Sequence, residues 1–292
     1  MAPQNDSSRL RLALPKGRMQ DGVFSLLADA SISLRAGERS YRPVISLQAF
    51  DVKILKPQNI VEMLDAGARD IGFAGADWVA ELQADLVEVL DTGLDPVSLV
   101  AAAPSEFLVD GALPTGSPLV VASEYERLTR AWVSKQKIEA HFVRSYGATE
   151  VFPPEDADLI VDNTATGSTL EANNLRIIDE LMTSSTRLYA NPRALEHPDR
   201  RVLIDDIVLL VRSVLEARLR VMVEVNVAPD RLEALLAVLP CMRQPTVSQL
   251  AGGEGFAVKA AVPRKDVPAV IPRLKAAGGE DIVVTRLAQI IP

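Results

Sequence analysis

The sequence predicts an α/β protein closed by a smaller α+β unit, and three observations carry that prediction. Short apolar runs such as Leu10–Leu14 and Leu159–Val161 lead through polar loops into segments with helical apolar spacing. From Leu219 onward the order becomes strand, helix, strand, strand, helix, strand, which is the ferredoxin-like βαββαβ pattern. A length of 292 residues, 48% of them hydrophobic, suffices for about two domains, or three small ones, with packed cores.

Leu10–Leu14 reads as a strand running into Pro15-Lys16-Gly17-Arg18 and then a helix from Gln20 to Ala30. Two cations around a glycine make either an anion pocket, with Lys16 as a point charge and Arg18 as a fork, or a solvated basic turn. Val44–Leu55 holds two strand-like pieces, and Asn59 reads as the cap of a helix over Ile60–Ala68. Asp70–Ala74 is a strand ending in the polar loop Gly75-Ala76-Asp77, at the edge where open α/β sheets bind ligands. Trp78 begins the next helix, and its ring is expected in the core. Leu86–Leu90 and Val97–Ala103 read as two strands, with Asp91–Pro96 as a breaker and a domain crossover nearby. Gly111–Pro118 is a surface loop, followed by a strand at Leu119–Ala122, a helix at Glu124–Gln136 and a strand at Ile138–Val143. Thr186–Ala190 is a strand. Asp199–Arg218 is a long helix with Val202, Ile207, Leu210, Val211, Val214 and Leu215 as its apolar positions. The terminal unit reads as Leu219–Val227, Asp230–Leu239, Thr246–Leu250, Phe256–Val262, Asp266–Ala276 and Asp281–Leu287 in that βαββαβ order.

Composition excludes several functions. A net charge of −8 with no dense Lys/Arg run argues against nucleic acid as a partner. The single Cys241 rules out an internal disulfide and a multi-cysteine metal site, and fits a reducing compartment. His141 and His197 lie far apart, without a ligand partner at short spacing, so no metal-ligating residues are assigned. No apolar run reaches the roughly 18 residues of a membrane span. Met1–Ser8 is polar and lacks an apolar signal core, as expected of a short leader on a cytoplasmic protein.

The segment Ala157–Leu175 carries the strongest chemical signal. The strand Leu159–Val161 delivers Asp162-Asn163-Thr164-Ala165-Thr166-Gly167-Ser168-Thr169 to a helix start marked by Leu170, Ala172 and Leu175. Gly167 lets the backbone approach an anion, the N–H groups of Gly167, Ser168 and Thr169 are expected to face it, and Thr166, Ser168 and Thr169 add hydroxyls. Asp162 is placed to accept hydrogen bonds from the hydroxyls of the same ligand. A phosphate at one end and a carboxylate at the other suggest a phosphorylated sugar. Loops of this composition also occur as plain turns with a helix cap. The acid-x-x-x-Thr-Gly-x-Thr spacing resembles the phosphoribosyl pyrophosphate loop of phosphoribosyltransferases, with Asn163 where the common form has a second acid.

From Arg9 to Pro292 the chain resembles the long form of ATP phosphoribosyltransferase, the first enzyme of histidine biosynthesis. The most specific segments are Leu12–Arg18, Asp70–Asp77 and Asp158–Leu175. Ala122-Ser123-Glu124-Tyr125, Gly147–Pro153, Leu239-Pro240, Pro245-Thr246 and Leu274–Gly278 add support. The resemblance implies two α/β domains arranged like a periplasmic binding protein around an active-site cleft. Catalytic domain I would take residues 1–95 and 181–215, domain II residues 96–180, and a regulatory histidine-binding domain residues 216–292. It further implies transfer of phosphoribosyl from phosphoribosyl pyrophosphate to N1 of ATP, with Mg²⁺ as cofactor, feedback inhibition by histidine, and dimers that associate into hexamers. Carried over by residue, Lys16, Arg18 and Asp162 would serve catalysis. Glu150, Asp162, Ala165, Thr166, Gly167, Ser168 and Thr169 would bind phosphoribosyl pyrophosphate. Lys16, Arg18, Lys56, Gly75 and Asp77 would bind ATP, and Asn226 and Thr246 histidine. Lys56 stands where the family usually has Arg. A catalytically weakened regulatory or ligand-binding paralogue is the alternative, and an exported solute-binding protein a third reading.

Overall fold

The computed structural model describes residues 9–35, 41–242 and 244–291; the leader expected at Met1–Ser8 lies outside them. The strands and helices in chain order are β1 Leu10–Pro15, α1 Gln20–Asp29, β2 Leu34–Arg35, β3 Val44–Ile45, β4 Phe50–Leu55, α2 Pro57–Asp65, β5 Ile71–Gly75, α3 Ala76–Leu82 and β6 Val87–Pro104. There follow β7 Leu119–Ser123, α4 Glu126–Gln136, β8 Ala140–Arg144, β9 Leu159–Thr164, α5 Ser168–Ala172, β10 Leu175–Ala190, α6 Pro192–Glu196 and α7 Pro198–Arg218. The last are β11 Arg220–Val227, α8 Leu232–Val238, β12 Thr246–Gln249, β13 Phe256–Pro263, α9 Val267–Ala276 and β14 Glu280–Arg286. The chain divides into two compact units, one of residues 1–25 and 32–205, the other of residues 26–31 and 206–292.

The first unit is built on an eight-stranded sheet in the order β4-β1-β5-β10-β6-β9-β7-β8. Its first half is parallel at β4-β1-β5, and its second half parallel at β9-β7-β8. The antiparallel pair β6 and β10 runs through both halves. Thr186–Ala190 pairs with β5, while Ser98–Ala102 pairs with β9. The apolar runs are near-continuous because both faces are covered. Along β6, Leu99, Ala101 and Ala103 pack in the cluster that holds Tyr125 and Trp132, while Val100 and Ala102 pack with Ile160 and Leu170.

Several expected boundaries move, each for a local reason. Asn59 does not cap α2. Pro57 opens that helix, with Lys56 at the cap position, and the Asn59 amide donates to Glu62 Oε2 at 3.1 Å. Pro at the first helical turn fits because its missing N–H had no partner to lose. Asp91–Pro96 does not break the strand. Ser185 Oγ donates to Asp91 Oδ1 at 2.8 Å, Thr186 Oγ1 to Asp95 Oδ2 at 2.9 Å, and Thr92 Oγ1 to the Thr186 carbonyl. Side chains therefore hold β6 to β10 across a bulge, and the two expected strands are one. β10 likewise extends back to Leu175, well before the expected start at Thr186. In α7, Val202 is exposed and Ile204 takes the buried position.

The second unit has a four-stranded antiparallel sheet in the order β12-β13-β11-β14, the ferredoxin-like arrangement the sequence predicts. Val221, Val223, Val225 and Val227 alternate inward and pack with Leu235 of α8 and Val270 and Leu274 of α9. Helices cover that face. The other face presents Met222, Glu224 and Asn226 of β11, with Lys259 opposite Glu224 and Thr246 opposite Lys259.

Candidate active site

Two strand ends of the first half-sheet deliver the cations. β1 ends at Pro15 and turns through Lys16, Gly17 and Arg18; β4 ends at Leu55 just before Lys56. These turns, with Gly75 and Asp77 beyond β5, line one cavity of about 470 Å³ together with Glu124, Tyr125 and Asn163 from the second half-sheet. Lys16, Arg18 and Lys56 are all exposed, as cations must be to meet an anion entering from solvent. Lys16 Nζ donates to Tyr41 Oη at 2.8 Å and lies 4.8 Å from that ring's centroid, which lowers the phenol's pKa. The cavity thus gathers Lys16, Arg18, Lys56, Gly75 and Asp77, the residues assigned above to the nucleotide.

Asp77 sits deeper than the sequence suggests. It is buried; its Oδ1 accepts from Ser184 Oγ at 2.7 Å and its Oδ2 from Tyr125 Oη at 2.6 Å. Gly75 makes room for this carboxylate, because a Cβ there would overlap Asp77 Oδ1, which Ser184 and Tyr125 hold in place. Tyr125 Oη also accepts from Asn163 Nδ2 at 2.9 Å, and the Tyr125 ring stacks on Trp78 with centroids 4.6 Å apart. Trp78 is partly buried between the core and the cavity, so it both packs, as expected, and lines the site. Burial first, then the Asp77 carboxylate, pushes the Tyr125 phenol far above its ordinary pKa.

The acidic side of the site belongs to the second half-sheet. Asp162 lies two residues before the end of β9 and accepts from its neighbour's backbone, Asn163 N–H, at 2.7 Å. Burial pushes its carboxyl up to about 6; the Glu124 and Glu150 carboxylates push the same way, against the Asn163 N–H and the Thr149 hydroxyl. Burial also raises Glu124, opposed by Lys56 across the cavity. Glu150, from the turn after β8, adds its charge to that of Asp162.

The loop at Ala165–Thr169 departs in part from its expected geometry. Gly167 adopts φ +81°, in the left-handed region where a side chain is strained. Its N–H is not aimed at an incoming anion: it donates to Thr164 Oγ1 at 2.9 Å. Thr166 Oγ1 and Ser168 Oγ are 3.0 Å apart, and Ala165, Thr166, Ser168 and Thr169 are exposed. Thr166 and Gly167 line a separate cavity of about 830 Å³ with Ser105, Glu106 and Arg176. The cation cavity and the hydroxyl loop are neighbours through β9 and do not share one lining.

Among the described residues no three His, Cys, Asp or Glu side chains converge to hold a metal. No helix of the described residues is long and apolar enough to cross a membrane. In the second unit, Asn226 and Thr246 share the open sheet face; Asn226 Nδ2 donates to Asp281 Oδ2 at 3.0 Å, and Thr246 lines a cavity of about 250 Å³ with Cys241 and Lys259. Site residues that the sequence reading leaves unassigned are Glu124, Tyr125, Asn163 and Ser184. Their signal is weak because each acts through a partner distant in the chain; only the Ser123-Glu124-Tyr125 segment stands out, as part of the family resemblance.

A family model described as ATP phosphoribosyltransferase matches residues 56–213, and one described as HisG, C-terminal domain, matches residues 217–289. The ATP phosphoribosyltransferase of Pelotomaculum thermopropionicum is 37% identical over 289 residues, covering 97% of this chain and 100% of that one. Its counterpart in Chlorobium chlorochromatii is 35% identical over 292 residues, covering 98% and 99%. The solved ATP phosphoribosyl transferase (HisG:HisZ) complex from Thermotoga maritima aligns with a TM-score of 0.63 at 26% identity, covering 71% of this chain and 98% of that chain.

Proposed function

We infer the workings of the site from one premise: the chain belongs to the ATP phosphoribosyltransferase family, in its long form. The enzyme transfers phosphoribosyl from phosphoribosyl pyrophosphate to N1 of ATP, giving phosphoribosyl-ATP and pyrophosphate, the first step of histidine biosynthesis. The bond from adenine N1 to the anomeric carbon forms while the carbon–oxygen bond to pyrophosphate breaks, and pyrophosphate keeps the electron pair. That reaction needs positioning and charge stabilisation more than a nucleophile of the protein's own.

The role of each residue is our reading. Lys16, Arg18 and Lys56 hold the phosphates of the two substrates, supported by their exposure around one cavity. Asp162 faces the ribose hydroxyls and the positive charge that builds at the anomeric carbon. Glu150 supports it, and Ala165–Thr169 receive the 5′-phosphate through exposed hydroxyls and the backbone of Ser168 and Thr169. Gly75 shapes the nucleotide side, and Asp77 serves it from behind, through Tyr125 and Ser184. The observation that carries this reading is the meeting of Lys16, Arg18 and Lys56 from the first half-sheet with Glu124, Tyr125 and Asn163 from the second around one strand-end cavity, next to the half-buried Asp162 whose carboxyl burial raises to about 6.

Mg²⁺ fits the donor set as a substrate-borne ion. Burial first, then the carboxylates of Glu124 and Glu150, raises Asp162, and a divalent cation nearby would offset the carboxylates' part; no protein cage awaits it among the described residues. When bound it neutralises charge on the leaving pyrophosphate. Catalytic domain I spans residues 1–95 and 181–215, domain II residues 96–180 and the regulatory domain residues 216–292, a division supported by the two long strands β6 and β10. Histidine binds the regulatory domain by Asn226 and Thr246 and inhibits turnover; the chain forms dimers and hexamers of itself in the cytoplasm. The lone Cys241 supports a reducing compartment.

The decisive experiment follows phosphoribosyl-ATP by absorbance from ATP, phosphoribosyl pyrophosphate and Mg²⁺ with pyrophosphatase present, with and without histidine. Histidine-suppressed turnover is expected. Turnover indifferent to histidine removes the regulatory assignment, and a folded protein without turnover supports the weakened paralogue. Asp162→Ala is expected to lower kcat by about 10²–10³-fold, the range found when a charge-stabilising group is deleted; retained turnover removes its ribose role.

A further inference from the structure

A buried chain of hydrogen bonds links the two halves of the first unit. It runs from Asn163 Nδ2 to Tyr125 Oη at 2.9 Å, from that hydroxyl to Asp77 Oδ2 at 2.6 Å, and Asp77 Oδ1 is closed off by Ser184 Oγ at 2.7 Å. Asn163 belongs to β9 and Tyr125 to the start of α4, in the second half; Asp77 belongs to α3, in the first. Tyr125 is fully buried and Asp77 nearly so.

The direction of this chain is fixed by chemistry. A carboxylate only accepts, so the Tyr125 proton must point at Asp77. The phenol oxygen then offers only lone pairs to its other neighbour, so residue 163 must donate. An amide can do so and an ionised carboxylate cannot. This accounts for Asn163 where the common phosphoribosyl pyrophosphate motif carries a second acid: an acid there would place a second carboxylate beside the single proton Asp77 already uses.

The chain also reaches the chemistry. The Asn163 peptide N–H donates to Asp162 Oδ1 at 2.7 Å, so anchoring the Asn163 side chain fixes the peptide that orients Asp162. We propose that Asn163, Tyr125 and Asp77 form a directional relay across the cleft, a set of positioning residues that holds the Asp162 carboxyl in place through the Asn163 peptide, with the amide at position 163 demanded by the direction of the bonds. The proposal deepens the functional reading above and rests on its placement of Asp162.

Reversing the relay tests it. In the double variant Asp77→Asn/Asn163→Asp the new amide donates to Tyr125, whose proton now goes to the new acid; the carbonyl of that amide still accepts from Ser184. Asn163→Asp alone sets two carboxylates on the one Tyr125 proton and breaks a bond of the relay, and kcat/KM for phosphoribosyl pyrophosphate is expected to fall about 10–100-fold, the cost of a polar group left unpaired. Asp77→Asn alone is expected to cost less, because the Asn163 amide can flip and accept the Tyr125 proton. The double variant is expected to recover at least about tenfold over the weaker single, a coupling of neighbours rather than additivity. Tyr125→Phe, which deletes the shared hydroxyl, is expected to abolish that recovery. A double variant whose loss is the product of the two single losses overturns the relay, as does recovery that persists when Tyr125→Phe is added. A merely structural role moves urea midpoints without reproducing this order of activities. Those midpoints, taken without substrate, separate the two readings: recovery of stability in the double variant with no turnover in any variant, wild type included, keeps the relay's bonds and removes the functional reading. Recovery in neither removes the relay.

Discussion

At β1 and β5 the eight-stranded sheet is covered on both faces, whereas the four-stranded sheet is covered on one. In the first, Leu10, Leu12, Ala13 and Leu14 of β1 and all of β5 are buried, so no face is left for a ligand and polar side chains collect beyond the strand ends. That is where Lys16, Lys56 and Asp77 stand. In the second, one face packs against α8 and α9 and the other holds Glu224, Asn226 and Lys259 in the open. Covering both faces confines function to an edge; covering one leaves a whole surface to be used.

The contrast can be broken most strongly in the core. Leu12→Ala removes a fully buried side chain and is expected to lower unfolding free energy by about 2–5 kcal/mol in a urea titration. Val283 lies opposite Glu224 on the open face of the small sheet, and Val283→Ala is expected to cost within about 0.5 kcal/mol in the monomer. Equal costs would show that a second chain covers that face, and dilution would then lower the cost.

At the functional edge, Asp162 carries a pH-dependent penalty. Its folded pKa, about 6, lies above its unfolded value, so the native state binds the proton more tightly. The penalty is absent below the unfolded pKa, grows as pH rises from about 4 to about 6, and is full above that. Asp162→Asn is therefore expected to stabilise the protein at pH 7 by about 1–3 kcal/mol, from about two pKa units at 1.36 kcal/mol each taken as an upper limit, while turnover falls. Melting temperatures at pH 4 and pH 7 check it: an advantage equal at both removes the titration as its cause. The smallest expected effect is that of Thr246→Ala on the open face, with stability within about 0.5 kcal/mol and histidine inhibition weakened, read as the histidine concentration that halves turnover.

Local patterns make most of the fold legible. The alternation Val221, Val223, Val225, Val227 and the apolar run of β1 need no distant information. β6 is not legible across Asp91–Pro96, because Asp, Thr, Gly and Pro signal a turn unless other residues bond to them. Ser185 and Thr186 do so here from more than 90 positions away. The site divides the same way. Lys16, Arg18 and the Thr166–Thr169 loop announce themselves by glycine-flanked polar spacing. Tyr125 does not, because its partners Asp77 and Asn163 lie 48 and 38 positions off. The Gly167 N–H turns away from its expected direction because Thr164 competes for it from within the loop, a local bond that composition leaves undetermined.

The pairing of β6 with β10 sets an order of events during folding. Its rungs run from Pro104 with Leu175 to Val87 with Ala190, so every residue of β7, β8, β9 and α5 lies inside the loop that this ribbon closes. A chain emerging from the ribosome presents β6 long before its partner exists. Building β7, α4, β8 and β9 first draws the two ends of the loop together and shortens the chain that must be closed, lowering its entropy cost. Loop-closure entropy thus favours condensing the interior of the sequence before its flanks join, with β5 gaining its neighbour β10 after the second half of the sheet.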